Sequence, residues 1–241
     1  MSIKEKMYHI HCSKGDVGEY VILPGDPGRT DLIAQRFDKP VLIAQNREHK
    51  TWTGFLDGVK VSVTSTGMGS PSAAIAVEEL IKCGAHTFIR VGTAGRVAPQ
   101  AQDQSVEGVI CTSAVRDEGL TKEYVPIQYP AVANRHVLNA LIEAKQELGY
   151  TFLEGITHCK DSFYSQVEPH TIPIEQHLKQ QWEVWERSNV LCAEMESASI
   201  FVLASIRAKR AGSIMSFDSV EHALDITIAA LRKLIKQDKA M

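Results

Sequence analysis

Two hydrophobic periods take turns along this chain. Residues 19–23 form a short apolar run that stops at Pro24-Gly25, and residues 31–37 then read as one or two helical turns. β-prone runs follow at 41–45 and 50–55, and Asp57-Gly58 supplies the turn dipeptide that closes hairpins. Over 59–65 the valines at 59, 61 and 63 alternate, which predicts a strand with one buried face. From Pro71 the period lengthens. Ala73, Ala74, Val77, Leu80 and Ile81 share one helical face, and Cys83-Gly84 ends it with Gly84 as the C′ residue.

Residues 87–91 predict a strand that runs straight into Gly92-Thr93-Ala94-Gly95, with further strands at 108–115 and 151–158. Helices are expected at 135–148, 174–187 and 197–210. Val220, Leu224, Ile228, Leu231 and Ile235 keep the helical period through a final helix. Such alternation, with no repeat, low-complexity tract or linker, predicts a single domain over 1–241, an α/β sandwich with a mixed, largely buried sheet. One junction is too short. A strand begins at 212–215, yet Ser216-Phe217-Asp218 opens the last helix at once, with Asp218 or Ser219 as its N-cap. Connections in α/β folds rarely shrink to nothing, so a loop missing between Met215 and Ser216 is expected.

Composition narrows the class. The 241 residues carry 26 Lys and Arg against 29 Asp and Glu, a formal charge of −3, which argues against a nucleic-acid or membrane-surface partner. No apolar run approaches the roughly 20 residues that span a bilayer, and the first residues lack the apolar segment of a signal peptide. Five scattered cysteines, odd in number and never spaced C-x-x-C, fit reduced core thiols, so a cytoplasmic location is expected.

The glycine-rich segments all follow strands. Pro24-Gly25-Asp26-Pro27-Gly28-Arg29 joins a glycine turn to a helix start, where backbone N–H groups and the Arg29 fork suit an oxyanion. A plain turn with a solvated arginine is the alternative. Gly67-Met68-Gly69-Ser70-Pro71-Ser72 only partly mimics a dinucleotide fingerprint, since Pro71 fills a variable slot and Ser72 replaces the third glycine. Arg90 stands near the end of an apolar strand, where a charge is costly unless paired, and Gly92-Thr93 follows it. Either a salt bridge or phosphate binding accounts for it. Glu194-Met195-Glu196 precedes a helix; one carboxylate could hold sugar hydroxyls, and the alternative is an acidic first turn. Phe163 and Tyr164 either stack on a planar ligand or cap the core. His9 and His11 form an H-x-H pair with no third ligand in view, and no metalloprotease, hydrolase-elbow or P-loop signature occurs.

In order, these segments resemble the nucleoside phosphorylase superfamily of purine nucleoside and uridine phosphorylases. The carriers are P-G-D-P-x-R at 24–29, T-G-x-G-x-P-S at 66–72, I-R-V-G-T-x-G at 89–95, D-x-F-Y at 161–164 and E-M-E-S at 194–197. E-M-E-S and the stretch 47–52 are closer to uridine phosphorylases. The resemblance implies a three-layer α/β/α sandwich whose central sheet is partly barrel-like. It implies pentosyl transfer without a cofactor: inorganic phosphate as co-substrate cleaves a nucleoside to free base and ribose 1-phosphate. Gly25, Arg29, Arg90 and Thr93 match phosphate ligands, with Arg29, Arg90 and Glu196 central to catalysis. Met195 and Glu196 match ribose ligands; Thr93, Ala94, Gly95, Phe163, Gln166 and Glu194 surround the base. Arg47 would reach phosphate, and His9 the ribose, from a neighbouring subunit, which requires at least a dimer; the family is typically a hexamer, a trimer of dimers. Uridine phosphorylases hold a potassium ion at the dimer interface, and Glu48, Met68 and Ser72 match its positions.

Two departures bear on specificity. Uridine phosphorylases read uracil with a glutamine and an arginine after the F-Y pair; Gln166 is present here but no arginine follows, and neither His170 nor Thr171 replaces it. The short junction after Met215 also falls where the family has a loop that covers the base. Uridine is therefore weighed against purine nucleosides. A hydrolase is disfavoured because Arg29, Arg47 and Arg90 would have no phosphate to hold. A catalytically silent nucleoside-binding protein and a dinucleotide oxidoreductase are the readings from other classes.

Overall fold

The structure, a computed structural model, describes residues 5–240. The first apolar run becomes β1 (Tyr20–Pro24), followed by the short helix α1 (Arg29–Ala34). A meander of β2 (Asp38–Asn46), β3 (His49–Leu56) and β4 (Val59–Thr64) comes next. Asp57 at φ 50° and Gly58 at φ 76° take the left-handed backbone of the expected hairpin turn between β3 and β4. α2 (Ser70–Cys83) ends as expected at Gly84, φ 114°. Then come β5 (Thr87–Thr93), β6 (Gly95–Arg96), β7 (Gly108–Asp117), β8 (Ala131–Val132) and α3 (Arg135–Leu148). Asn134 caps α3 by accepting the His136 N–H at 3.0 Å. The rest is β9 (Phe152–Lys160), one turn of α4 (Tyr164–Val167), α5 (Glu175–Arg187), β10 (Val190–Glu194), α6 (Ser197–Ile206), β11 (Arg210–Ser216) and α7 (Glu221–Lys239).

All the strands join one mixed sheet in the order β2-β3-β4-β1-β5-β11-β7-β9-β10-β6, with β8 on β7. β4, β1, β5 and β11 are parallel; β7 runs against β11, and β9 and β10 follow β7. Only Ala94 separates β5 from β6, and β6 pairs with β10 through Gly95↔Ala193 and Arg96↔Cys192. The strands from β5 round to β6 therefore close on themselves. That closure is the barrel-like part of the sheet, and it turns the ends of oppositely directed strands toward one cavity.

The sheet is covered on both faces. Val77 and Leu80 of α2 and Phe201 and Leu203 of α6 pack in one buried cluster; Ile33 of α1, Leu141 of α3 and Leu231 and Ile235 of α7 pack in the other. This double cover buries β4 from Val61 to Thr64 on both sides, more than its alternating valines imply. Among the described residues no helix is long and apolar enough to cross a membrane.

Several boundaries differ from expectation. α6 stops at Ile206, not at 210, because Ala208 at φ 52° reverses the chain and the Arg210 N–H donates to the His86 carbonyl at 2.9 Å. α1 begins at Arg29 and ends at Ala34, with Phe37 turned into the core. β7 and β9 each run two residues further than predicted, since their pairing carries Asp117 into register with Lys160. Across Met215–Ser216, where a missing loop is expected, the backbone continues as β11 and four residues lead into α7. The Phe217 N–H donates to the Glu107 carbonyl at 2.9 Å, and Ser219 Oγ accepts the Glu221 N–H at 3.3 Å.

Candidate active site

Two glycine turns meet where β1 and β4 end side by side. The Thr66 N–H donates to the Pro24 carbonyl at 2.8 Å and the Gly67 N–H to the Gly25 carbonyl at 3.0 Å. Gly67 and Gly69 hold φ 69° and 87°, a backbone that other residues rarely adopt. A Cβ on Gly25 would stand only 3.3 Å from the Gly67 carbonyl, so a glycine here lets the two turns pack closely, with Arg90 Nη1 beside them.

Arg90 is 5% exposed. One terminal nitrogen donates to Glu196 Oε2 and the other to the Leu23 carbonyl at 3.4 Å, while its buried Nε has no partner among the described residues. Glu196 Oε1 accepts the Gly69 N–H at 2.6 Å. The buried pair thus ties β5, the second glycine turn and the start of α6 together. Glu194 has different partners: its Oε2 accepts the N–H groups of Glu196 and Ser197, both at 2.9 Å. Burial first, and the Glu196 charge second, hold the Glu194 carboxyl above the usual range, against the pull of Arg90.

These groups line one cavity of about 930 Å³. Gly25, Arg29, Arg90, Thr93, Ala94, Gly95, Phe163, Gln166, Glu194, Met195 and Glu196 are all among the residues that line it. The Arg29 guanidinium has no hydrogen-bond partner among the described residues. Two arginines on one cavity, of which Arg29 is uncompensated, are chemistry that suits an anion. Phe163, in that lining, is 55% exposed and stands edge-on to Tyr164 with ring centroids 5.5 Å apart.

His9 and Arg47 do not line the cavity of their own chain. His9 is held by Glu79, its Nδ1 lying 2.7 Å from Oε1, and Arg47 is exposed at the β2–β3 turn with φ 53°. Glu48, Met68 and Ser72 stand together at the cavity edge, where Ser72 Oγ donates to Glu48 Oε1 at 2.8 Å. A carboxylate and a hydroxyl side by side suit a hard cation, but one copy supplies only part of an oxygen shell. Among the described residues no group of three His, Cys, Asp or Glu side chains could hold a metal ion.

The sequence reading missed Lys160. Ending the strand at 158 leaves Lys160 in a loop; the longer β9 buries it to 7% exposure on the cavity wall, where Nζ donates to Gln166 Oε1. Burial lowers its pKa to about 8, partly opposed by Asp117. The signal was the period-two face that Lys160 shares with His158.

The sequence profile of the phosphorylase superfamily matches residues 19–230. The chain is 44% identical over 247 aligned positions to the uridine phosphorylase of Treponema pallidum, covering 96% of this chain and 95% of that protein. It is 34% identical to the uridine phosphorylase of Escherichia coli (96% and 99% covered) and 39% identical to the guanosine phosphorylase of Halorubrum lacusprofundi (88% and 83% covered). The 247 positions exceed the 241 residues of this chain, so the Treponema protein carries residues that have no counterpart here.

Proposed function

The chain belongs to the phosphorylase superfamily, and from that premise we propose that it is a nucleoside phosphorylase, a pentosyltransferase that uses inorganic phosphate to cleave the N-glycosidic bond. The observation that carries this reading is the single cavity in which Arg29, Arg90 and Thr93 stand beside Met195 and Glu196. Phosphate sits against Arg29, Arg90, Thr93 and the Gly25 turn. Glu196 takes the ribose hydroxyls and Met195 packs against the sugar. A phosphate oxygen bonds C1′ as the C1′–N bond breaks, through an oxocarbenium-like transition state. Catalysis is chiefly orientation and electrostatic stabilisation, with no covalent enzyme intermediate.

The base lies among Thr93, Ala94, Gly95, Phe163, Gln166 and Glu194. A uridine-like substrate is favoured by the Treponema and Escherichia relatives. A purine nucleoside is the second reading, favoured by the guanosine phosphorylase relative and by the lack of an arginine shortly after Gln166. The three arginines weigh against hydrolysis by water.

His9 and Arg47 complete the site of a neighbouring copy, so the working unit is at least a dimer, in a hexamer built as a trimer of dimers. A potassium ion between Glu48, Met68 and Ser72 of facing copies belongs to the same reading. Five unpaired, buried cysteines favour the cytoplasm. The test is base release from uridine, inosine and adenosine, followed by ultraviolet absorbance with and without phosphate. Turnover that requires phosphate is expected; cleavage indifferent to phosphate would point to a hydrolase, and none at all to a binding protein.

A further inference from the structure

Past its first turn, every buried residue of α2 is apolar except Glu79, which is 7% exposed. A carboxylate in such a place is costly unless it is paired, and its partners all lie in one short segment. Oε2 accepts the N–H groups of His9 and Ile10 at 3.0 and 2.9 Å, and Oε1 lies 2.7 Å from His9 Nδ1. One side chain thus holds both the backbone and the ring of His9. The His9 carbonyl in turn accepts the Asn46 amide at 2.7 Å, and Arg47 is the next residue, at the β2–β3 turn. Because a carboxylate only accepts, the ring proton of His9 sits on Nδ1. Nε2 is left with a lone pair and has no partner among the described residues.

We infer that Glu79 is a positioning residue for a neighbouring copy's site: it fixes His9 in the tautomer whose Nε2 presents a lone pair, and so favours substrates with a hydrogen-bond donor at the 5′ position. The inference rests on the nucleoside and shared-site reading above. In that reading Glu196 takes the hydroxyls on the ribose ring, which leaves the 5′-hydroxyl for a residue that arrives from another chain. A hydroxyl both donates and accepts, so the natural substrate satisfies either tautomer and hides which one is present. Analogues separate them. An ammonium at C5′ only donates and suits the lone pair; a fluorine has no proton to give and opposes it. Glu79→Gln turns the arrangement over. Its amide oxygen must stay on the two backbone N–H groups, so its NH₂ faces Nδ1 and the ring proton moves to Nε2.

The test is kcat/KM at saturating phosphate and about pH 8, above the ordinary histidine range. The substrates are the 5′-amino, 5′-fluoro and 5′-deoxy analogues of uridine, or of inosine if only purine nucleosides turn over. The wild type should favour the 5′-amino over the 5′-fluoro analogue by about tenfold or more, and Glu79→Gln should cut that ratio by about tenfold. A variant that merely loosens the fold lowers both values together, so an unchanged ratio overturns the proposal. Should Glu79→Gln not fold, the wild type decides. Fluorine against a lone pair makes the 5′-fluoro analogue a worse substrate than the 5′-deoxy one, and an equal or reversed order overturns the tautomer assigned to His9. His9→Ala should level the preference for the amino analogue. If it leaves all three values unchanged, the shared-site reading falls instead, and a wild type that phosphorolyses no nucleoside overturns the functional reading, so the failures are distinct.

Discussion

Arg90 and Glu196 hold each other in place. The guanidinium donates to Glu196 Oε2 while Glu196 Oε1 accepts the Gly69 N–H at 2.6 Å, and both side chains are buried. The proposed phosphate ligand and the proposed ribose ligand are thus parts of one hydrogen-bonded unit. Removing the arginine outright strands a buried carboxylate. Arg90→Ala is therefore expected to cost about 3–5 kcal/mol of stability besides its activity. Arg90→Lys keeps the charge but loses the fork, and should lower kcat/KM by about a hundredfold with a far smaller change in melting temperature. Activity near wild type in Arg90→Lys would take this arginine out of phosphate binding.

Glu196→Gln should lower turnover of ribosides more than that of 2′-deoxyribosides if the carboxylate binds the 2′-hydroxyl. The comparison needs parallel kcat/KM values for uridine and deoxyuridine. Equal losses would place the carboxylate elsewhere.

His9 and Arg47 lie outside the cavity of their own chain, so the shared site can be tested by complementation. On the proposed reading, Arg47→Ala damages the neighbour's site and Glu196→Gln the chain's own. Dissociated and reassembled together, the two inactive proteins should regain about a quarter of wild-type activity, since each mixed pair rebuilds one intact site. No recovery from a reassembled mixture would mean that Arg47 serves no neighbouring site.

Lys160, held down to about 8 by burial, carries its positive charge and all three of its donors only while protonated. The groups around it are Gln166 and Trp182 from α4 and α5, Asp117 from β7, His158 on its own strand and Glu194 lining the same cavity from β10. If the charge of Lys160 supports turnover, activity should fall as pH rises through about 8, and Lys160→Arg should move that limb upward. A limb that stays put in Lys160→Arg belongs to another group.

Asp238 of α7 accepts both terminal nitrogens of Arg210, at 2.9 and 2.5 Å, and the Tyr20 hydroxyl at 2.5 Å. The Arg210 bond leads the causes that hold its carboxyl below the ordinary 3.8. A depressed carboxylate contributes stability that is complete above its unfolded pKa and is lost as pH falls through the lower folded one. Asp238→Asn should lower the melting temperature at neutral pH by a few degrees, about 2 kcal/mol. The gap from wild type should narrow below about pH 4; a gap that ignores pH would assign the effect to packing.

The hairpin at Asp57-Gly58, the α2 terminus at Gly84 and α3 over Arg135–Leu148 were legible because turn chemistry and period are local. The end of α6 was not, since the sheet draws Arg210 into β11 against the helical preference of its neighbours. Among the site residues, Arg29, Arg90 and Glu196 announced themselves as charges beside glycine turns or at an apolar strand's end. Lys160 did not, because only its pairing opposite Asp117 carries β9 that far.

Sequence by itself determined which residues could bind an oxyanion and a sugar, and on what kind of element each would stand. Charge, donor geometry and hydrophobic period belong to a residue and its near neighbours. Tertiary structure decided which of them meet. β9 and β10 run against β1 and β5, so their ends share a cavity only because β6 pairs with β10 and closes the sheet. That pairing joins residues about a hundred positions apart, and no local pattern encodes it.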